Sequence, residues 1–215
     1  MILDLMSRVN DSSSKKIVLL GGGGHCASVI DALDRMNMYD EVVILDPNKP
    51  VDSEYMGCKI AGGDDMLQDL YGRGFRNAFV SLGNIGDTSI RRSLYEKILQ
   101  LGFTIPNIID PSAVVSGYAQ MGYGIFVGKN AVINAGAVIG NAAIINTGSI
   151  VEHNCTIGEF THISVGSIVC GDCMIGKDVF VGAGSTIVNG VTVEDKKFIK
   201  AASLVKERDR SLPYQ

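Results

Sequence analysis

Residues 145–169 read I-N-T-G-S-I-V-E-H-N-C-T-I-G-E-F-T-H-I-S-V-G-S-I-V, and every sixth residue of that stretch, Ile145, Val151, Ile157, Ile163 and Val169, is aliphatic. Followed outward, the ladder begins at Ile109 and runs through Val115, Met121, Val127, Ile133 and Ile139, then on through Ile175, Val181, Ile187, Val193 and Ile199 to Val205. With about half of residues apolar in an ordinary chain, such a run arises by chance roughly once in 10^5 starting points. A period of six suits neither an amphipathic helix nor a lone strand, but it suits a strand-and-turn unit repeated as a solenoid. The glycines carry a second period: Gly122, Gly140, Gly158 and Gly176 recur every eighteen residues, as do Gly148, Gly166 and Gly184. Three strands per eighteen-residue coil make a three-sided prism, and five or so coils at ~4.8 Å would stand about 25 Å tall.

The 215 residues suffice for two modest domains, each with its own core. A net charge of -4 argues against a nucleic-acid or anionic-membrane partner, either of which needs a concentrated basic face. No stretch approaches membrane-spanning length. Residues 1–14, M-I-L-D-L-M-S-R-V-N-D-S-S-S, hold acids and lack a sustained apolar run, so they read as a flexible leader rather than a secretion signal. Five cysteines, an odd number with no secretion signal, point to a reducing, cytoplasmic location. Cys170 and Cys173 form a C-x-x-C, but no second pair exists to complete a tetrahedral zinc site. Cys155 and Cys173 both fall two residues before a ladder position, a slot filled elsewhere by Ala119, Ala131, Ala137, Ala143, Ser149 and Ser167, so both are expected to be small core fillers.

Upstream of the ladder, strand and helix signals alternate. Lys16 to Leu20 reads as a strand, Gly21 to Gly24 as a turn, and His25 to Met36 as a helix with Val29, Ile30 and Leu33 on one face. Glu41 to Leu45 is the second strand, Met66 to Tyr71 a short helix, Phe79 to Leu82 the third strand and Thr88 to Leu101 a periodic helix, with Phe103 to Ile109 completing the set. The alternation predicts an α/β domain with a small parallel, Rossmann-like sheet whose ligands bind at the strands' C-terminal ends. The organisation expected is a leader at 1–14, an α/β domain at 15–109, a parallel β-helix at 110–205 and a tail at 206–215. Gly21 to Gly24 opens a helix, where free N–H groups favour an anion. As a G-x-G-x-x-G fingerprint it fails at Cys26, and the nearest ribose-binding acid, Asp46, lies 25 residues past Gly21. A tight turn and an anion site both remain open there, as does the role of His25.

The prism segment holds two histidines, His153 and His162. The eighteen-residue register puts Ala135 below His153 and Gly171 above it, leaving the ring little bulk on either side and free to face a substrate. Glu152 and Asn154 are polar neighbours able to fix its tautomer, and a neutral imidazole suits general-base work. A zinc site would need three converging ligands, whereas the third histidine, His25, belongs to the other domain; no metal is expected.

The order G-G-G-H at 22–25, L-D at 45–46, L-G-N at 82–84, I-N-T at 145–147 and the block from Val151 to Gly166 resembles the sugar acetyltransferases of the PglD and NeuD type, within the left-handed parallel β-helix (hexapeptide-repeat) acyltransferases. That fold is a known exception to the right-handed crossover rule. The resemblance implies an acetyl-CoA-dependent homotrimer with active sites between subunits. It implies N-acetylation of a nucleotide-linked amino sugar, in first place a UDP-linked 4-amino-4,6-dideoxy sugar. O-acetylation of sialic acid is the alternative; a metal-dependent carbonic anhydrase and a non-catalytic trimeric binding protein are more distant ones. It makes His153 the general base, with Asn154 and Glu152 beside it, and Gly171 the oxyanion donor. It places His162, Gly171, Ala183 and Ala201 against acetyl-CoA, and Gly23, Gly24, His25, Asp46, Pro47, Gly83 and Asn146 against the sugar nucleotide. Two departures stand out: many relatives follow the histidine with Glu or Asp where this chain has Asn154, and the usual G-V-P-A-K type of ending is replaced by S-L-P-Y-Q.

Overall fold

The computed structural model describes residues 15–206. The leader at 1–14 and all of the tail beyond Lys206 lie outside the described residues. The chain forms two compact units, one running to Gly83 and resuming over Ser89–Pro106, the other combining Asn84–Thr88 with everything from Asn107 onward.

In the first unit, β1 (Lys16–Leu20) is apolar along nearly its whole length, as a strand covered on both faces must be. It pairs in parallel with β2 (Glu41–Leu45) on one side and β5 (Asn77–Val80) on the other. Helix α1 (Gly24–Met36) buries Cys26, Val29, Ile30, Ala32 and Leu33, and ends where Asn37 turns left-handed and donates its N–H to Leu33 O at 3.0 Å. Helices α2 (Leu67–Gly72), preceded by a 3-10 turn, and α3 (Ser89–Gln100) match the remaining helical expectations.

The sheet differs from expectation in two respects. It is mixed: β3 (Glu54–Tyr55) and β4 (Cys58–Gly62) form a hairpin, with β4 parallel to β2 and β3 an antiparallel edge, giving the order β3-β4-β2-β1-β5. Met56 and Gly57, both at positive φ, make the two-residue turn between them. The second difference is at the C-terminal end, where Phe103 to Ile109 is no strand of this sheet. Only a single bridge, Asn77 to Thr104, extends it, whereas Ile108–Ile109 is the first rung of the prism.

That prism comprises the two-residue strands β6 (Ile108–Ile109) to β22 (Leu204–Val205), all paired in parallel in three sheets of six, five and six strands. Every pairing joins residue i to i+18, as in Ile133 to Val151 and Val151 to Val169, so the coil length read from the glycines is the register of the fold. This is the left-handed parallel β-helix. Ladder residues from Val127 to Ile187 are all at most 2% exposed, and at ~1.5–3 kcal/mol per buried aliphatic side chain they are the main source of its stability. The residues two places before the ladder do a second job. Thr161, Ser167 and Ser185 donate their hydroxyls to the carbonyls of Gly176, Gly182 and Lys200, fifteen residues on. Cys155 and Cys173, both fully buried, do the same with their thiols toward Cys170 and Val188. These cysteines stand in for serine.

Candidate active site

The second corner residue recurs at positive φ every six residues, from Gly124 and Asn130 through Asn154 (φ 58°) and Asp172 (φ 60°) to Ala202. Asn and Asp tolerate this left-handed geometry better than other residues with a side chain. The register then stacks Asn154 under Asp172 and over Gly136.

His153 is the first residue of the corner between β13 (Ile150–Val151) and β14 (Thr156–Ile157). Its imidazole lies against the Cα of Gly171, the equivalent residue one coil on: a Cβ on Gly171 would come within 2.5 Å of Nε2. Gly171 is itself buried, and among the described residues its N–H has no hydrogen-bond partner. At equivalent corners the side chains of Asn134, Asn146 and Glu152 accept from the following N–H groups of Ala135, Thr147 and His153, at 2.8, 2.8 and 3.1 Å. Cys170 provides no such oxygen to Gly171, the residue against which the ring packs.

On its other side, the His153 ring meets Asn154 and Asp172. Asn154 Nδ2 lies 3.4 Å from His153 Nδ1 and donates to Asp172 Oδ1 at 3.0 Å; His153 Nδ1 is 3.9 Å from the same carboxylate oxygen. Glu152 takes a different direction, its carboxylate accepting from Asn134 Nδ2 at 3.0 Å besides the His153 backbone N–H. Sequence reading passed over Asp172. Its signal was arithmetic, eighteen residues past Asn154.

His162, on β15 (His162–Ile163), belongs to a different cluster. It is buried, with Nδ1 3.0 Å from the carbonyl of Asn84 and Nε2 3.1 Å from Asn146 Nδ2, and its ring meets Phe180 edge-on. A carbonyl can only accept and an amide N–H can only donate, so these partners select the neutral Nδ1–H tautomer. Ala183 and Ala201 are exposed at a third corner, one coil apart. Among the described residues no group of three or more His, Cys, Asp or Glu side chains could hold a metal ion.

In the first unit, Gly22, Gly23, Gly24, His25, Asp46 and Gly83 come together. Asp46 accepts the Gly22 N–H at Oδ2 (2.8 Å) and the Asn48 N–H at Oδ1 (2.9 Å), so its carboxylate closes the glycine turn. The stem of Lys49, another residue that sequence reading passed over, covers Gly22 while its ammonium sits 4.7 Å from the Tyr55 ring centroid. Gly23 and Gly24 are exposed at the uncapped start of α1, and His25 Cβ approaches Gly83. Pro47 is exposed beside Asp46. Beneath the turn, burial pushes the Cys26 thiol up to about 11 despite a hydrogen bond with Ser81, so it is no nucleophile at neutral pH. Among the described residues no helix is long and apolar enough to cross a membrane.

The family profile of the PglD N-terminal domain matches residues 16–98, and that of the bacterial transferase hexapeptide, six repeats, matches residues 154–189. Comparison with curated proteins gives no match. Among solved structures, the acetyltransferase domain of PglB from Neisseria gonorrhoeae FA1090, in complex with acetyl coenzyme A, is 32% identical with a TM-score of 0.79, over 85% of this chain and 86% of that one. A histidine-to-alanine mutant of GDP-perosamine N-acetyl transferase from Caulobacter crescentus, in complex with CoA and GDP-perosamine, is 33% identical with a TM-score of 0.70, over 84% of this chain and 91% of that one. With both domains matched in order and identity above 30% across nearly the full length of these relatives, the chain belongs to the PglD-type acetyltransferases of the hexapeptide-repeat superfamily.

Proposed function

We propose that the chain transfers the acetyl group of acetyl-CoA to the amino group of a nucleotide-linked amino sugar, a UDP-linked 4-amino-4,6-dideoxy sugar in first place, with His153 as general base. The observation that carries this reading is the packing of the His153 ring against Gly171, whose N–H has no hydrogen-bond partner among the described residues. Acyl transfer to an amine needs those two groups side by side. The amine attacks the thioester carbonyl and yields its proton to His153 Nε2, the ring nitrogen turned away from Asn154 and Asp172. The carbonyl oxygen becomes an oxyanion that accepts from Gly171 N–H. Collapse breaks the C–S bond, and the departing sulfur takes the proton back from the imidazolium, giving amide and CoA thiol. Holding amine and thioester together supplies much of the remaining acceleration, worth ~7–11 kcal/mol in favourable cases.

The other assignments follow the same reading. The exposed Ala183 and Ala201 leave room for the pantetheine chain against the prism wall. His162, fixed by Asn146, shapes that wall through its ring. The uncapped start of α1 at Gly23 and Gly24 suits the anionic part of the sugar nucleotide, with His25, Asp46, Pro47 and Gly83 around it. On the sheet of β7 (Val114–Val115), β10 (Val132–Ile133) and β13, the outward residues Val114, Val132 and Ile150 are apolar and at least partly exposed, which supports burial against other copies in a homotrimer. Five free thiols support a cytoplasmic location.

Two experiments test the proposal. His153→Ala should lower acetyl transfer by about two orders of magnitude or more while leaving the fold intact; near-normal turnover would refute the base. A panel of UDP-amino sugars, GDP-amino sugars and sialic acid, read by released CoA thiol, identifies the acceptor. Preference for GDP-linked sugars would overturn the UDP assignment, and preference for sialic acid would overturn N-acetylation.

A further inference from the structure

Two arrangements compete for Nδ1 of His153. In the one present, the Asn154 amide N–H group lies between the ring and Asp172, 3.4 Å from Nδ1 and 3.0 Å from Oδ1. If Asn154 Nδ2 donates across that 3.4 Å contact, Nδ1 accepts and the ring proton sits on Nε2, where it blocks proton uptake from an amine. In the other arrangement, Nδ1–H donates straight to Asp172 Oδ1 and Nε2 is bare. The present separation of 3.9 Å exceeds a charge-assisted hydrogen bond of ~2.8 Å by about one ångström. Both side chains are about half exposed, at 49% and 58%, so rotation of either closes the gap without disturbing the core.

Asn154 cannot produce the second arrangement by itself. Turning its carbonyl toward Nδ1 would aim that oxygen at the Asp172 carboxylate and lose the 3.0 Å bond. The other charged neighbour, Glu152, is engaged with Asn134 and the His153 backbone N–H. We propose that Asp172, delivered from the next coil by the eighteen-residue register, is the positioning residue that selects the Nδ1–H tautomer of His153 and stabilises the imidazolium formed during transfer. This inference rests on His153 being the base.

The test uses the full-length enzyme with acetyl-CoA and the best acceptor from the panel. Ring-15N-labelled histidine reports which nitrogen carries the proton, and with three histidines in the chain the His153 signal is assigned by its loss in His153→Ala. Asp172→Asn keeps the shape and tolerates the left-handed corner. It should lower kcat roughly 100-fold, leave KM for acetyl-CoA within about threefold, and move the His153 proton to Nε2. The exchange Asn154→Asp/Asp172→Asn restores a carboxylate beside Nδ1. It should regain at least about tenfold in kcat together with the Nδ1–H signal. Asp172→Asn with wild-type kcat or an unchanged tautomer would overturn the proposal, as would a folded exchange variant that regains nothing. His153→Ala reports separately on the base: activity retained there refutes the base reading, whereas an inactive His153→Ala beside a fully active Asp172→Asn refutes only the role of Asp172.

Discussion

The imidazole of His153 occupies the space in which a side chain on Gly171 would begin. Gly171→Ala must therefore push the ring aside, and a misplacement of about 1 Å at a reacting group can cost ~100-fold in rate. The expected outcome is a loss of that order in kcat with a melting temperature close to wild type. Wild-type turnover in Gly171→Ala would show that the ring position is immaterial.

His162 should behave in the opposite way. Replacing it with Ala removes its hydrogen bonds to the Asn84 carbonyl and the Asn146 amide, at about 1 kcal/mol or more for each. At roughly 2–4 °C per kcal/mol for a chain of this size, calorimetry should record a fall of at least about 4 °C. His153→Ala, at a half-exposed site, should melt within about 2 °C of wild type.

Gly158 tests the packing of the corners. A Cβ there would lie 2.5 Å from the backbone carbonyl of Gly176 and 2.6 Å from Lys177 N, and backbone cannot swing aside as a side chain can. Gly158→Ala should destabilise by about 1–3 kcal/mol, as other overpacked positions do. Denaturant melts that match wild type would contradict it.

The Cys26 thiol supplies a pH dependence. Burial raises it from the ordinary 9.0 to about 11, so the folded state holds a proton that the unfolded chain releases. The associated stability is fully present below pH 9 and is lost as the pH rises toward 11. Thermal melts across that interval should fall, and fall less in Cys26→Ala. Equal slopes in both proteins would exclude the thiol as the source.

The prism was legible because a period of six without a failed position has no competing explanation. The two glycine series that marked its coils have different physical causes. Gly148, Gly166 and Gly184 sit at positive φ, whereas Gly140, Gly158 and Gly176 are small because the next coil's backbone passes over them. Other features were hidden for stated reasons. The turn at Met56 and Gly57 lacks the Asn-Gly or Asp-Gly pair that announces a hairpin. Ile109 heads the six-residue ladder, yet it also ends the apolar stretch from Phe103 that reads as a strand of the first domain, and only its pairing with Val127, eighteen residues downstream, assigns it to the prism alone. Asp46 stood out as a ribose-binding candidate, yet nothing in its spacing shows that its carboxylate closes the glycine turn. Asp172 emerges only when the coil length is applied to Asn154.

The constant offset of eighteen makes the chain a counting device as well as a scaffold. One residue inserted between Asn154 and Cys170 would shift every later corner by one place and separate His153 from both Gly171 and Asp172, although no residue of the site had changed. A whole coil duplicated beyond Gly190 would lengthen the prism and leave that corner as it is. Tolerance to insertion in this molecule is therefore set by divisibility, more than by how exposed the point of insertion is.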